Sequence, residues 1–214
     1  LRRLSLRAID AQLDLSRLRG KPLTHLDLAR TPLGRDQLRH IFSLTHLRGL
    51  NLSHIDLNGS KLNFGSLPSI EELYVASCNL NNDSVKGLGR LSALTHLDLY
   101  GNRVTHKGLQ MLAGLTQLHA LVLSAGAFIS KAVAVGDVTF TQPVFSGKAA
   151  GSIPWPSSLT SLSITRADIG DDDLVFLHRL KGLRELDLSY TRVTRKGMQQ
   201  IRKTFPRLRL LWIP

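Results

Sequence analysis

Leu94-Thr95-His96-Leu97-Asp98-Leu99-Tyr100-Gly101-Asn102 is the stretch that decides the fold. Its leucines at 94, 97 and 99 set the spacing Leu-x-x-Leu-x-Leu, and an offset of about 24 residues reproduces that spacing along nearly the whole chain. On one side stand Ile70, Leu73 and Val75, then Leu47, Leu50 and Leu52, then Leu23, Leu26 and Leu28. On the other stand Leu118, Leu121 and Leu123, then Leu159, Leu162 and Ile164, then Leu183, Leu186 and Leu188. Partial copies close the series at Leu1, Leu4, Leu6 and at Leu208, Leu211, Ile213.

Each unit changes period halfway. The alternation Leu-x-Leu has period 2 and suits a short strand with one buried face. The apolar residues then recur every third position, as in Leu109, Leu112, Leu115, in Val85, Leu88, Leu91 and in Leu174, Leu177, Leu180, which predicts a helix with one apolar stripe. A single strand, turn and helix cannot bury its own apolar face, so successive units must stack with their strands parallel. Helices are wider than strands, so the expected α/β solenoid is an arc, with a curved parallel sheet on the concave face and helices on the convex face. The pattern resembles the leucine-rich-repeat family over residues 1–214, with about 8–9 repeats and one interruption. Segments such as Thr105-His106-Lys107-Gly108-Leu109 resemble its intracellular, helix-bearing groups, the ribonuclease-inhibitor-like and cysteine-containing types.

That resemblance implies a polar side chain three residues after the last strand leucine, bonded to turn backbone. Here the slot holds Thr31, Cys78, Asn102 and Thr191, but also Ile55, Gly126 and Ala167, so the polar ladder is incomplete. The single cysteine, Cys78, therefore reads as a small buried ladder residue, not a reactive thiol.

Residues between the strand leucines point away from the core. The middle column runs Ser5, Asp27, Asn51, Tyr74, Asp98, Val122, Ser163, Asp187, Trp212; His25, Glu72, His96 and Glu185 flank it on one side, Tyr100 and Tyr190 on the other. All three tyrosines and one of the two tryptophans fall on this face, and amphipathic aromatics are enriched at binding hot spots. The interval from Leu118 to Leu159 is 41 residues, longer than its neighbours. Its stretch from about 129 to 158 carries Val133, Val135, Val138, Phe140, Gly136, Pro143, Pro154 and Pro156 and reads as an extended loop or irregular hairpin, with Trp155 offered to a partner. Tyr74, Tyr100, Tyr190, Trp212, Asp98, His96, Glu72 and Trp155 are thus the expected partner-binding set.

The formal net charge is +12, gathered at the ends: residues 1–50 hold 10 Lys or Arg against 4 Asp, and residues 179–214 hold 10 against 2 acids. Arg35, Arg39, Arg195, Lys196, Arg202 and Lys203 lie in helical segments and are expected to form an outward basic patch able to meet RNA phosphates or an acidic protein. One cysteine and no apolar run near the roughly 20 residues that span a bilayer suggest an intracellular, cytoplasmic protein with no membrane partner, a nuclear or mitochondrial site remaining compatible. The opening Leu-Arg-Arg, already inside a repeat, suggests a piece of a longer chain.

Catalysis would need converging groups. His25 with Asp27 and His96 with Asp98 repeat the motif Thr-His-Leu-Asp-Leu three units apart, too far to share a metal, although Glu72, His96 and Asp98 could approach one another. Asp171, Asp172 and Asp173 read as a helix start. The sequence therefore predicts no enzyme, no cofactor and no small-molecule substrate. It predicts a scaffold binding another protein, in the manner of a ubiquitin-ligase substrate receptor or a subunit of a large complex. Alternatives are a ribonucleoprotein component touching RNA through the basic ends and a bacterial effector.

Overall fold

A computed structural model describes residues 1–9, 13–57, 63–124, 129–135, 138–143 and 147–214; at 124, 129–135, 138–143 and 147–149 it describes the backbone. Gly126 and Gly136 lie outside the described residues. The strands are β1 Arg3–Ser5, β2 His25–Asp27, β3 Gly49–Asn51, β4 Glu72–Tyr74, β5 His96–Asp98, β6 Ala120–Ser124, β7 Ile129–Val135, β8 Val138–Pro143, β9 Ser161–Thr165, β10 Glu185–Asp187 and β11 Arg209–Leu211. Nine of them form one parallel sheet in the order β1-β2-β3-β4-β5-β6-β9-β10-β11. The register is that of the repeat, with Leu4, Leu26, Leu50, Leu73, Leu97, Leu121, Leu162, Leu186 and Leu210 paired in line.

From Leu26 to Leu186 these leucines are at most 2% exposed, and burying such a side chain contributes about 1.5–3 kcal/mol. The longer interval does not interrupt the sheet, because β6 pairs directly with β9. The added chain leaves it as the antiparallel pair β7 and β8.

The opposite layer is mostly not α-helical. Regular α-helix occupies α1 Arg35–Ile41, α2 Asn82–Val85, α3 Gly147–Ser152 and α4 Arg195–Thr204. The stripes at 109/112 and 174/177 lie in 3-10 helices, Gly108–Gly114 and Asp171–Arg179. Three residues per turn place positions i and i+3 directly above one another, so a stripe spaced strictly by three suits this tighter helix. The narrow form also lets neighbouring units close up: a Cβ on Gly114 would collide with the carbonyl oxygen of Gly89 in the unit before. The helix α3 stands inside the stretch read from sequence as loop or hairpin, too short to show a stripe.

The polar slot behaves as a bonding post. Asn102 is fully buried; its Oδ1 accepts from the N–H groups of Cys78 (3.1 Å) and Leu80 (3.0 Å). Its Nδ2 donates to the carbonyls of Val75 (2.7 Å), Leu99 (3.0 Å) and Tyr100 (3.3 Å). Thr31 donates to Leu6 O (2.5 Å), Thr191 to Leu188 O (2.7 Å), and the Cys78 thiol to Leu52 O (3.0 Å). Burial pushes that thiol up to about 11, which keeps it protonated and inert at neutral pH.

Candidate functional site

On the outward side of the sheet, two columns of side chains stand between the buried leucines. The first runs Arg3, His25, Gly49, Glu72, His96, Ala120, Ser161, Glu185, Arg209, and the second Ser5, Asp27, Asn51, Tyr74, Asp98, Val122, Ser163, Asp187, Leu211. The second column ends on Leu211, 56% exposed, where the sequence pattern put Trp212. In the last unit only one residue separates Leu208 from Leu210, against two between Leu183 and Leu186, and a one-residue slip along a strand exchanges its faces. Trp212 therefore packs against the core side, its Nε1 donating to Val193 O at 3.1 Å. It is removed from the partner-facing set, and Leu211 and Ile213 take its place on the surface.

Trp155 is corrected for a different reason. Its ring is 8% exposed, stacks on Phe176 at 5.3 Å between centroids, and donates from Nε1 to Ala150 O at 2.8 Å. It ties the added segment to the 3-10 helix of the next unit and has little surface to offer.

The second column builds turns as well as surface. Asp27, Asn51, Asp98 and Asp187 each accept, through Oδ1, the N–H two residues on: Ala29 (3.0 Å), Ser53 (3.0 Å), Tyr100 (2.8 Å) and Ser189 (2.9 Å). Such Asx bonds fix the exit of each strand. Immediately after comes a row of left-handed residues, Ala8, Arg30, His54, Ser77, Gly101, Arg166 and Tyr190, with φ between 52° and 68°. Left-handed backbone costs a non-glycine residue about 1–2 kcal/mol. The cost is offset by a ladder between units in which Ala8, Arg30, His54, Ser77, Arg166 and Tyr190 each donate an N–H at 2.6–2.9 Å to a carbonyl of the next unit. Sequence reasoning missed this row because only Gly101 carries a left-handed signature.

The row places the tyrosines. Tyr100 stands one position before it and is 39% exposed; Tyr190 is in it, 51% exposed, with the Arg166 guanidinium 5.3 Å from its ring centroid. They occupy successive slots, not the one column read from sequence. Tyr74 is half-buried on β4 opposite Asp98, its hydroxyl 3.5 Å from Glu72 Oε2. Burial, then the Glu72 charge, raises the phenol's pKa. Burial also raises that of the Asp98 carboxyl, partly opposed by the Tyr100 N–H and by His54. Glu72 and His96 pair in register beside them, so Glu72, Tyr74, His96 and Asp98 form one contiguous patch. Among the described residues no three of His, Cys, Asp and Glu are grouped to hold a metal ion.

A groove of about 370 Å³ opens beside this patch, over β1 to β4. Gly49 lies at its floor with the His25 imidazole against it: a Cβ there would meet His25 Cδ2 at 2.5 Å. The basic set lies elsewhere. Arg35, Arg39, Arg195, Lys196, Arg202 and Lys203 are all exposed on α1 and α4, and Arg39 pairs with Asp36 at 3.3 Å.

Family models described as leucine-rich repeat match residues 68–126 and 156–177. Among curated proteins none matches. Among solved structures, the chain is similar to internalin C2 of Listeria monocytogenes, at 21% identity and TM-score 0.71, over 98% of this chain and 80% of that one. It is similar also to an internalin F of the same organism, at 18% identity and TM-score 0.59, over 94% of this chain and 57% of that one. A leucine-rich-repeat protein of Leptospira interrogans aligns at 20% identity and TM-score 0.53, over 98% of this chain and 48% of its own length.

Proposed function

The chain is a leucine-rich-repeat protein, and on that premise we propose that it is a protein-recognition module whose strand face and bordering turns hold a partner. One observation carries this reading: Tyr100 stands exposed on the turn after β5 beside Tyr74, Glu72, His96 and Asp98, and Tyr190 stands exposed on the turn after β10 three strands along the same sheet. Tyrosines held by backbone bonding lose little freedom on binding, and hot-spot tyrosines are worth about 2 kcal/mol or more. A scaffold role within a larger complex, of which substrate selection for a ubiquitin ligase is one form, accords with such a surface. Replacing Tyr74, Tyr100 and Tyr190 by Ala should weaken partner binding at least about thirtyfold, while neutralising the α4 cations leaves it unchanged. The reverse pattern would refute the reading.

A second reading rests on α4, which exposes Arg195, Lys196, Arg202 and Lys203 and contains no acid. It makes the protein a ribonucleoprotein component gripping RNA phosphates at its basic end. That reading requires an affinity that falls steeply with salt and collapses when the four cations are removed. The similar structures, at 18–21% identity, support the fold alone. Among the described residues no helix is long and apolar enough to cross a membrane.

A further inference from the structure

Charge is distributed against the grain of the whole molecule on the strand face. The chain carries 28 Lys and Arg against 16 Asp and Glu. Yet the outward columns of β2 to β10 carry Asp27, Glu72, Asp98, Glu185 and Asp187 and not one Lys or Arg. Arginines enter only from the flanks. Arg7 lies 3.6 Å from Asp27, and Arg209 on β11 reaches Glu185 at 3.4 Å. Toward the middle of the sheet, Glu72 and Asp98 have no ion-pair partner among the described residues.

The geometry beside them suits a cation on a long stem. A groove of about 370 Å³, near the small end of ligand pockets, runs over Gly49 from Arg3, His25 and Asp27 on one side to Glu72 and Tyr74 on the other. The Tyr74 ring offers an apolar, electron-rich surface for an aliphatic stem or a planar guanidinium, and the Glu72 carboxylate stands at its edge. Asp98 spends Oδ1 on the Tyr100 N–H, which leaves Oδ2 for an incoming donor, whereas Asp27 Oδ2 already faces Arg7 at 3.6 Å.

We propose that the strand face receives an extended, arginine- or lysine-bearing segment of a partner protein, with one basic side chain seated at the Glu72 and Tyr74 side of the groove and a neighbouring one at Asp98. This rests on the strand face being the recognition surface and adds the chemistry of what it recognises. It also assigns the two charged regions opposite selectivity: the strand face repels polyanions, and the helical exterior attracts them.

The test is a titration of the full chain with a short fluorescein-labelled peptide of alternating Arg and Ser, and with its citrulline and Asp counterparts, read by anisotropy. Saturable binding of the Arg peptide, at least about tenfold tighter than the citrulline peptide, is expected. The double variant E72Q/D98N, which keeps side-chain shape and the acceptor for Tyr100 N–H, should lose about tenfold. Its melting temperature establishes that it is folded. Equal affinity for Arg and citrulline peptides, or preference for the Asp peptide, overturns the proposal. If E72Q/D98N binds the Arg peptide normally while Y74A/Y100A/Y190A abolishes binding, the cationic-segment proposal falls and the strand-face reading stands; if neither matters, both fall. A dimer in sedimentation velocity that dissociates in E72Q/D98N would make the occupant a second copy's basic helix and overturn the partner assignment.

Discussion

Asn102→Ala is the substitution for which the structure gives the largest and best-defined loss. The amide is fully buried and makes five bonds, all to backbone of its own unit and the one before. Alanine leaves the N–H groups of Cys78 and Leu80 without their acceptor inside the core, and each unsatisfied buried donor costs about 1–3 kcal/mol. The carbonyl of Tyr100 keeps the Ser77 N–H at 2.6 Å, so the carbonyl side loses less. A loss of about 3–5 kcal/mol is expected, a large part of the roughly 5–15 kcal/mol that holds a domain together. Because solenoid stability is carried by coupling between neighbouring units, a break at this central post should also divide the unfolding transition. Urea titrations followed by far-ultraviolet circular dichroism measure both effects. Thr31→Ala, which removes the bond donated to Leu6 O and the long one accepted from Ile9 N–H near the end of the sheet, should cost about 1–2 kcal/mol and leave a single transition. A loss below about 1 kcal/mol for Asn102→Ala, or one no greater than that of Thr31→Ala, would refute the bonding-post account.

Two carboxyl variants should respond to pH with opposite signs. Asp98 is held above its ordinary pKa by burial, so its contribution to stability falls as pH rises through the folded value; Asp98→Asn should melt higher than the parent at pH 7, the gap closing below about pH 4, near the unfolded carboxyl value. Asp171 is held below its ordinary pKa by bonds from Thr194, so Asp171→Ala should melt lower at pH 7, and that gap should close as acid protonates the folded carboxyl. Melting curves with the same pH dependence for both would contradict the assigned causes. Gly114→Ala drives a methyl group into the Gly89 carbonyl and should lower stability by about 2 kcal/mol or more; denaturant unfolding that shows no change would mean that the two units can part at no cost.

The repeat, its strands and its buried leucines are legible in the sequence because each is set by spacing alone, repeated often enough to average out local exceptions. Legibility ends where a feature depends on a count of one or on the unit next door. The last unit lacks a single residue before β11, and that is enough to turn Trp212 inward and Leu211 outward. Trp155 looked available because glycines and prolines surround it; nothing in its own stretch announces that Phe176, 21 positions on, covers its ring. The left-handed row is invisible for a related reason. Arg30, His54, Ser77, Arg166 and Tyr190 take that conformation because a carbonyl of the following unit holds each N–H, not because the residue favours it. Helix type was not legible: apolar residues three apart occur both in the 3-10 helix Gly108–Gly114 and in the α-helices that bury Leu38 with Ile41 and Met198 with Ile201.

The Asx bonds separate what folding requires on the strand face from what it does not. Asn51 closes its turn on Ser53 N–H at 3.0 Å, as Asp27 does on Ala29 at the same distance and Asp98 on Tyr100 at 2.8 Å. A neutral amide thus serves the turn as well as a carboxylate. The charge at Asp98 gives the turn no geometry that Asn would lack, and burial makes that charge unfavourable in the folded chain. A residue whose shape is needed for folding but whose charge is not has its charge available for something outside the chain. On a protein of net charge +12, a surface that collects such carboxylates near an exposed tyrosine, and keeps Lys and Arg out of its central strands, has the charge distribution that the proposed cationic partner segment requires.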